Sequence, residues 1–316
     1  MLAVARSLGR SGLLIRACCM IDFPVNRQAS TSADVQSLLR SKHVGFLGSG
    51  QMAQALAQGF LGNGILKGSQ VTMTDRISNT PAEAHLFEPI KRLQEKFGIE
   101  YLQTNDVMAK KSDIIFACVK PNVILPALKE ISAYLNNKLI ISIAAGTTLD
   151  QIKQVLPSSA RLIRIMPNTP CLVQAGTAVY SNGPEVKPDD VQILKTLCTP
   201  IFNLFEEVPE SLINPVSGIS GCGPAYMFLI AEALADGGVR MGVPRQLAHK
   251  LAISMMAGSA ALMEKTGENP AKLKNDVCSP GGATIAAVHA LEEGGVRAAI
   301  INAVRAATLR SEELAP

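Results

Sequence analysis

Residues 44–53 read Val-Gly-Phe-Leu-Gly-Ser-Gly-Gln-Met-Ala. Their apolar first half leads into the pattern Gly48-x-Gly50-x-x-Ala53, and apolar residues at helical spacing continue beyond it. This strand, turn and helix context is typical of a dinucleotide fingerprint, in which the first glycine permits the turn and the second lets the backbone approach a pyrophosphate. The next apolar run ends at Asp75, where the adenosine ribose is expected. The sequence therefore predicts a cofactor site, although a purely structural turn has the same glycines.

Apolar runs alternate with helical patterns through the first two thirds of the chain. Such alternation predicts an α/β fold with a doubly wound, mostly parallel sheet of Rossmann type. From about Glu210 the pattern becomes helical only. We therefore expect a targeting or disordered leader over 1–42, a dinucleotide-binding domain over 43–209, and an all-α dimerisation and substrate domain over 210–316. The predicted strands are 43–48, 71–75, 99–103, 113–119, 138–144 and 161–166.

The helical region combines small residues with wide apolar faces. Glycines precede Pro224, a residue that kinks a helix when it lies in the interior. Segments 225–235 and 247–263 carry more apolar surface than one small helical domain buries. We therefore predict a helix bundle between subunits, and hence at least a homodimer.

A second glycine motif lies near the end of the chain. Residues 277–284 read Val-Cys-Ser-Pro-Gly-Gly-Ala-Thr and lead into a helical pattern that Gly294 and Gly295 close. The first-turn N–H groups of a helix have no internal partner and form an anion seat. Thr284 adds a hydroxyl beside that seat, which suits the carboxylate of a small amino or imino acid. Taken alone, a glycine-rich helix start of this kind is more often only a tight turn.

The amino-acid composition argues against a membrane-spanning protein, a nucleic-acid-binding protein and a metal-binding protein. The chain has 316 residues, of which 47% are hydrophobic, and no uninterrupted apolar run reaches the roughly 18 residues that span a bilayer. It has no tryptophan and no basic stripe with interleaved aromatic residues, so we expect no nucleic-acid partner. Its seven cysteines and four histidines lack metal-ligand spacing, so we expect free thiols in a reducing compartment and no metal.

The first 33 residues hold much of the net charge of +4. Arg6, Arg10, Arg16 and Arg27 are spread among small and apolar residues, and Asp22 is the single acid. An arginine-rich, acid-poor leader of this kind is typical of mitochondrial import. A disordered extension of a cytoplasmic protein is the alternative.

Three loops follow predicted strands at the edge where such sheets bind ligands. Lys120 either contacts cofactor phosphates or ribose, or is simply solvated. Residues 144–146 (Ala-Ala-Gly) are small enough for a nicotinamide ribose to lie over the sheet, although close helix packing has the same requirement. Residues 166–170 (Met-Pro-Asn-Thr-Pro) form a rigid turn with no role apparent from sequence.

Taken together, these motifs resemble pyrroline-5-carboxylate reductase over residues 43–314. The resemblance implies reduction of the cyclic imine of 1-pyrroline-5-carboxylate to L-proline by NAD(P)H, the last step of proline biosynthesis. It also implies an obligate dimer with interlocked helical domains, commonly assembled into a decamer. The matching motifs are 45–53, 119–121, 144–146, 166–170, 220–226, 236–242 and 279–285.

The resemblance also assigns roles to residues. Thr284 is the expected catalytic residue and hydrogen-bonds the ring nitrogen, while Ser279 and the N–H groups of Ala283 and Thr284 hold the carboxylate, with Gly281 and Gly282 completing the seat. The fingerprint and the resemblance together predict these cofactor residues: Leu47, Gly48, Ser49, Gly50, Gln51, Met52, Thr74, Asp75, Arg76, Asn105, Cys118, Val119, Lys120, Pro121, Ala144, Ala145, Gly146 and Asp276.

Two departures from the family pattern concern the cofactor. Thr74 is followed by Asp75, which suits the ribose hydroxyls of NADH, and by Arg76, which suits the 2′-phosphate of NADPH. We expect both cofactors to work, with NADPH slightly preferred on the resemblance. The second departure is the order Asn275-Asp276, the reverse of that in some relatives, at a cofactor contact that the resemblance places on the partner subunit.

Two other functions remain open from sequence. One is a reductase of the same architecture that acts on a β-hydroxy acid or a different cyclic imine. The β-hydroxy-acid class expects a catalytic lysine followed by an asparagine, which residues 217–224 do not supply. The other is a non-catalytic, nucleotide-sensing scaffold, which the presence of Thr284 and Lys120 disfavours.

Overall fold

The computed structural model of the chain describes residues 38–75 and 84–313. Arg76 and residues 1–37 of the predicted leader lie outside the described residues. One eight-stranded sheet, with strand order β3-β2-β1-β4-β5-β6-β7-β8, organises the first part of the chain. Its strands are β1 Val44–Leu47, β2 Val71–Thr74, β3 Glu100–Leu102, β4 Ile114–Ala117, β5 Leu139–Ser142, β6 Arg161–Met166, β7 Gly176–Asn182 and β8 Phe202–Glu207.

The sheet confirms the predicted mostly parallel, doubly wound fold. Strands β1 to β6 pair in parallel, β7 runs antiparallel to β6, and β8 is parallel to β7. The chain adds β2 and β3 on one side of β1 and then returns to add β4 on the other side, so the strand order changes direction between β1 and β4. A reversal of this kind opens a crevice at the carboxyl ends of the strands, where ligands of such sheets bind.

Strands β7 and β8 were not among the predicted strands. β8 lies at the edge of the sheet and reads Phe-Asn-Leu-Phe-Glu-Glu, with most of its side chains exposed. A strand at the edge has no need of the continuous apolar run that marks a strand buried on both faces. The pattern that located the first six strands therefore does not detect it.

Helices cover both faces of the sheet, and alternate strand residues face two separate cores. Phe46 and Phe116 stack at 5.2 Å between ring centroids in one core, beside Phe60. Ile115 and Ile140 belong to the other core. The helices of this part are α1 Gln51–Gly62, α2 Ala84–Phe97, α3 Asn105–Lys111, α4 Pro121–Ile131, α5 Leu149–Lys153 and α6 Pro188–Cys198.

All regular structure described beyond the sheet is helical. A 3₁₀ turn over Glu210–Leu212 leads into α7, and a π-helical turn over Ser217–Gly221 separates α7 from α8. Pro224 occupies the first turn of α8, where its missing N–H has no cost, so it does not kink a continuous helix as predicted. The helices are α7 Ile213–Val216, α8 Gly223–Arg240, α9 Arg245–Thr266, α10 Pro270–Asp276, α11 Ala283–Glu293 and α12 Val296–Glu313.

The long helices leave most of their apolar surface uncovered in the single chain. Ala235 is the one buried residue of α8, and α11 buries none of its residues. Phe228 is 68% exposed, Leu229 67% and Ile253 62%. Burial of each such side chain is worth about 1.5–3 kcal/mol, so these faces require another apolar surface.

One helical stretch of the described residues, Glu210–Arg240, has the length and hydropathy needed to cross a bilayer. Its mean hydropathy over the best window is 1.3, and 11% of that window is buried. Glu232 and Asp236 interrupt its apolar sequence, which is why no uninterrupted run was found above. The same surface has the composition of a helix interface that a second copy would cover.

We expect unfolding of the purified protein to depend on protein concentration, because the helical region needs a partner chain to bury its apolar faces. The midpoint of denaturant unfolding should rise with concentration, and dissociation should coincide with loss of helical signal. Analytical ultracentrifugation and circular dichroism on the same samples measure both. A stable, monodisperse, folded monomer at micromolar protein would contradict this expectation.

Candidate active site

The glycine loop after β1 has the geometry that the fingerprint predicts. Gly48 has a φ of +95°, a conformation that side chains other than glycine rarely adopt, and its N–H donates to the Thr74 carbonyl at 2.9 Å. A Cβ at Gly48 would lie 2.9 Å from Val119 Cγ1 and 3.0 Å from the Cys118 carbonyl oxygen. The chain itself therefore requires glycine at this position.

Gly50 has a different reason to be glycine. Its φ of −62° is ordinary, and a Cβ there would meet nothing within 4 Å. No side chain caps α1 at this residue, so its first N–H groups face the open space beside Gly50. An unfilled approach to a helix N-terminus fits the pyrophosphate of a dinucleotide.

Asp75 is held against this loop. Its Oδ2 accepts hydrogen bonds from the Ser49 N–H at 2.9 Å and from the Ser49 hydroxyl at 2.8 Å. Ser49 is 1% exposed, so the pair is fixed beneath the loop. The sequence predicted Asp75 as a ribose acceptor but did not predict this bond to Ser49, because the two residues lie 26 positions apart.

The loop after β4 brings a cation to the same edge. The Cys118 N–H donates to the Leu47 carbonyl at 2.8 Å, which joins the ends of β4 and β1. Burial raises the pKa of the Cys118 thiol, so it stays protonated and serves packing. Lys120 is exposed and precedes Pro121, the first residue of α4. Its ammonium group forms no hydrogen bond or ion pair within residues 38–75 and 84–313.

The loop after β5 is tightly packed. Ala144 is 4% exposed, and Gly146 has a φ of +76°. Thr147 is fully buried, and its hydroxyl has no hydrogen-bond partner in the described part of the chain. Thr148 then caps α5 by accepting from the Gln151 N–H. Asn105, at the start of α3, is 8% exposed.

Asn168 has a role that the sequence did not reveal. Its Oδ1 accepts from the Thr177 N–H at 2.8 Å, and its Nδ2 donates to the Ser220 carbonyl at 3.1 Å. Asn168 thus joins the loop after β6 to the π-helical turn before α8. The rigid sequence Met-Pro-Asn-Thr-Pro was visible, but its partner Ser220 is 52 residues away.

The second glycine motif forms the predicted helix start. Gly281 has a φ of +66°, which favours glycine, and a Cβ at Gly282 would lie 2.3 Å from the Ser279 Oγ, so a side chain there would displace the serine hydroxyl. Gly282 caps α11 without a side chain, and the N–H groups of residues 283–285 have no partner within the described residues. Ser279 and Thr284 are exposed beside them. The segment is an open helix N-terminus with two hydroxyls beside its unpaired N–H groups, a geometry that suits an anion.

The structure brings most of the predicted cofactor residues to one edge of the sheet. Residues 47–52, 74–75, 118–121 and 144–146 all follow the carboxyl ends of β1, β2, β4 and β5. Asp276 instead ends α10, where its carboxylate pairs with the Lys272 ammonium group at 3.0 Å. In the single chain, the sheet edge and the Ser279–Thr284 segment are each open to solvent.

Two family models match the chain. The model described as pyrroline-5-carboxylate reductase dimerisation matches residues 210–314, and the model described as NADP oxidoreductase, coenzyme F420-dependent, matches residues 43–146. Pyrroline-5-carboxylate reductase 2 of Homo sapiens is 41% identical over 275 residues, which span 86% of this chain and 83% of the human protein. Pyrroline-5-carboxylate reductase of Escherichia coli is 41% identical over 278 residues, 86% of this chain and 98% of its own.

Solved structures are also similar. The Plasmodium falciparum pyrroline carboxylate reductase with NADP bound has a TM-score of 0.78 and 30% identity, and covers 87% of this chain and 99% of its own. The pyrroline-5-carboxylate reductase of Coxiella burnetii has a TM-score of 0.76 at the same identity, over 87% and 99% of the two chains. Similarity therefore extends over both the sheet and the helices.

We expect Thr147→Val to stabilise the protein by about 1 kcal/mol, because a buried hydroxyl without a partner costs about 1–3 kcal/mol and valine has nearly the same shape. Denaturant unfolding measures the change, and fluorescence titration with NADPH checks the cofactor site. Lower stability or weaker NADPH binding in the variant would show that the hydroxyl bonds to water or cofactor in solution.

Proposed function

We propose a function for this chain from the family to which it belongs, the pyrroline-5-carboxylate reductases: it reduces 1-pyrroline-5-carboxylate to L-proline with NAD(P)H, the last step of proline biosynthesis. The observation that carries the proposal is the anion seat at the start of α11, with Thr284 at its rim, on a chain that also has a complete dinucleotide loop. The anion seat suits a small cyclic imino acid, and the dinucleotide loop suits the nicotinamide cofactor that reduces it.

The substrate half of the site works through hydrogen-bond donors. The free N–H groups of Ala283 and Thr284, with the Ser279 hydroxyl, hold the carboxylate at the helix N-terminus. The Thr284 hydroxyl donates to the ring nitrogen, where electron density increases as the hydride adds to the imine carbon, and the proton that this nitrogen gains comes from solvent. Glycine at 281 and 282 keeps the seat open. A β-hydroxy acid offers no ring nitrogen to Thr284, which favours the imine over that substrate class.

The cofactor half is the sheet edge. When bound, the dihydronicotinamide supplies the hydride. The N-terminus of α1 and Lys120 hold the phosphates, Asp75 accepts from the adenosine ribose, Asn105 contacts the cofactor from α3, and the loop after β5 supports the nicotinamide ribose. The guanidinium of Arg76 suits a 2′-phosphate. Because no strong general acid lies beside Thr284, most of the rate enhancement comes from positioning the two reactants.

Two copies complete the site. The uncovered faces of α8 and α9 pack against a second copy, and the sheet edge of one copy meets the Ser279–Thr284 segment of the other, with the region of Asp276 at the cofactor. In this proposal the chain has two domains, a cofactor domain over 43–209 and a helical domain over 210–316. Decamers of these dimers follow from the resemblance. The apolar stretch Glu210–Arg240 faces the partner copy and no membrane, and the partners include no nucleic acid.

The arginine-rich leader directs the enzyme to mitochondria. A fusion of residues 1–42 to a fluorescent protein tests this, because it should enter mitochondria while a fusion with Arg6, Arg10, Arg16 and Arg27 changed to Gln stays in the cytoplasm. Equal distribution of the two fusions would leave the cytoplasmic alternative.

An assay of the purified protein tests the activity. Oxidation of NADPH or NADH should require pyrroline-5-carboxylate, and L-proline should accumulate in equal amount by chromatography. Oxidation driven instead by a β-hydroxy acid's keto form, or none with any imine, would overturn the proposal.

Thr284→Ala should lower kcat by roughly 10–100-fold, because one hydrogen bond that strengthens in the transition state is worth about 1.5–3 kcal/mol. Cofactor binding should not change, and Thr284→Ser is the matched control because it keeps the hydroxyl. Steady-state kinetics with pyrroline-5-carboxylate measures the effect. Unchanged kcat and kcat/KM in the alanine variant would remove Thr284 from the mechanism.

Arg76→Ala should weaken NADPH while sparing NADH, since the guanidinium pairs with the 2′-phosphate. Asp75→Ser should weaken NADH while sparing NADPH, because it removes both the ribose acceptor and a charge that repels the 2′-phosphate. The wild-type preference should be modest and slightly in favour of NADPH. KM values for both cofactors measure these effects, and an equal change for the two cofactors in Arg76→Ala would show that Arg76 points elsewhere.

A further inference from the structure

A single carboxylate joins the sheet to the helical region. Glu210 Oε1 accepts from the Leu149 N–H at 2.7 Å and from Arg164 Nη1 at 3.0 Å. Arg164 Nη2 also donates to Asn214 Oδ1 at 3.1 Å. Leu149 begins α5, Arg164 lies in β6, and Asn214 lies in α7. Three segments far apart in sequence are therefore held at one point.

This junction is buried enough to be stiff. Arg164 is 2% exposed, and burial lowers its pKa while Glu210 opposes that shift. The Glu210 side chain is 29% exposed, but the guanidinium that it pairs with is enclosed, so removing Glu210 leaves a buried charge uncompensated. The positions of β6, α5 and the 3₁₀ turn that contains Glu210 are fixed to one another by this requirement.

The junction lies between the cofactor half of the proposed site and the paired helices of the dimer, which hold the substrate half that the partner copy contributes. On one side, the Leu149 N–H directly follows the loop 144–148, which holds the nicotinamide ribose in the proposed function. On the other side, the chain runs from Glu210 through α7 into the π-helical turn over Ser217–Gly221. Helix α12 packs closely against this turn, since a Cβ at Gly218 would lie 2.5 Å from Thr308 Oγ1. The Tyr226 hydroxyl adds a bond to the Gly218 carbonyl at 3.2 Å. Helix α12 follows directly on α11, which carries Thr284.

We propose that Glu210 is a positioning residue for hydride transfer, which fixes the cofactor loop of one copy on the paired helices and thereby relative to the substrate seat of the other copy. The proposal rests on the proposed function. A displacement of about 1 Å between reacting groups can cost about 100-fold in rate, so a joint between the two halves affects turnover without touching either reactant.

Two variants separate positioning from stability. Glu210→Met leaves Arg164 unpaired, so both stability and kcat should fall. The double variant Arg164→Met/Glu210→Met removes the unpaired charge, so its Tm should return towards the wild-type value. Its kcat should remain at least about 10-fold low, because the tie to the Leu149 N–H is still missing. Glu206→Met, at an exposed position of β8, is the matched control and should change neither.

Recovery of kcat together with Tm in the double variant would overturn the proposal and leave Glu210 with a structural role only. If either variant fails to fold, Glu210→Gln keeps the shape and one acceptor oxygen. The neutral amide holds the Leu149 N–H and the Arg164 guanidinium more weakly than the carboxylate does. In that variant, kcat should therefore fall at least about threefold with little change in the KM for NADPH, and the isotope effect with 4-deuterated NADPH should rise as hydride transfer becomes slower. An unchanged kcat and isotope effect would contradict the proposal. Absence of activity in the wild-type protein would instead refute the proposed function.

Discussion

The structure depends most on apolar helix faces that one chain cannot bury. Phe228, Leu229 and Ile253 are each more than 60% exposed, and α11 buries none of its residues in the single chain. The sheet, by contrast, has two closed cores of its own. A second copy that covers the helices would therefore also fix α11, and with it the anion seat at its start. Folding and formation of the substrate site then have the same physical cause.

The proposed binding of cofactor and substrate depends on the N-termini of two helices, α1 and α11, whose surroundings differ. The start of α1 faces open space at Gly50 and lies beside Lys120, which suits a phosphate pair. The start of α11 has the Ser279 and Thr284 hydroxyls beside three free N–H groups, which suits a carboxylate next to a ring nitrogen. Neither end offers a strong acid or base. This arrangement supports a reaction that needs a hydride, a hydrogen-bond donor, close positioning and a proton that solvent can supply.

Sequence patterns located the parts of the molecule whose requirements are local. Gly48 and Gly281 were predictable because their turns need a positive φ, and strands such as β1 and β4 because all of their residues are buried and apolar or small. Contacts between distant residues were not predictable. Examples are the Ser49–Asp75 pair, the bond from Asn168 to Ser220 and the Glu210 junction. Each joins residues far apart in the sequence, and a periodic pattern of apolar residues carries no information on such pairs. The edge strand β8 escaped detection because most of its residues are exposed, and the interior strand β7 because its sequence mixes polar and small residues with apolar ones.

Complementation between two inactive variants tests most directly whether two copies share one site. Gly50→Asp adds a negative charge where a Cβ meets nothing, so it should block the cofactor without disturbing the fold. Gly282→Val displaces Ser279 and should destroy the substrate seat. Co-expressed, differently tagged and purified as a mixed dimer, the two chains should regain proline formation, because one sheet edge and one seat from different copies remain intact. A mixed dimer as inactive as each parent would contradict a site shared between copies.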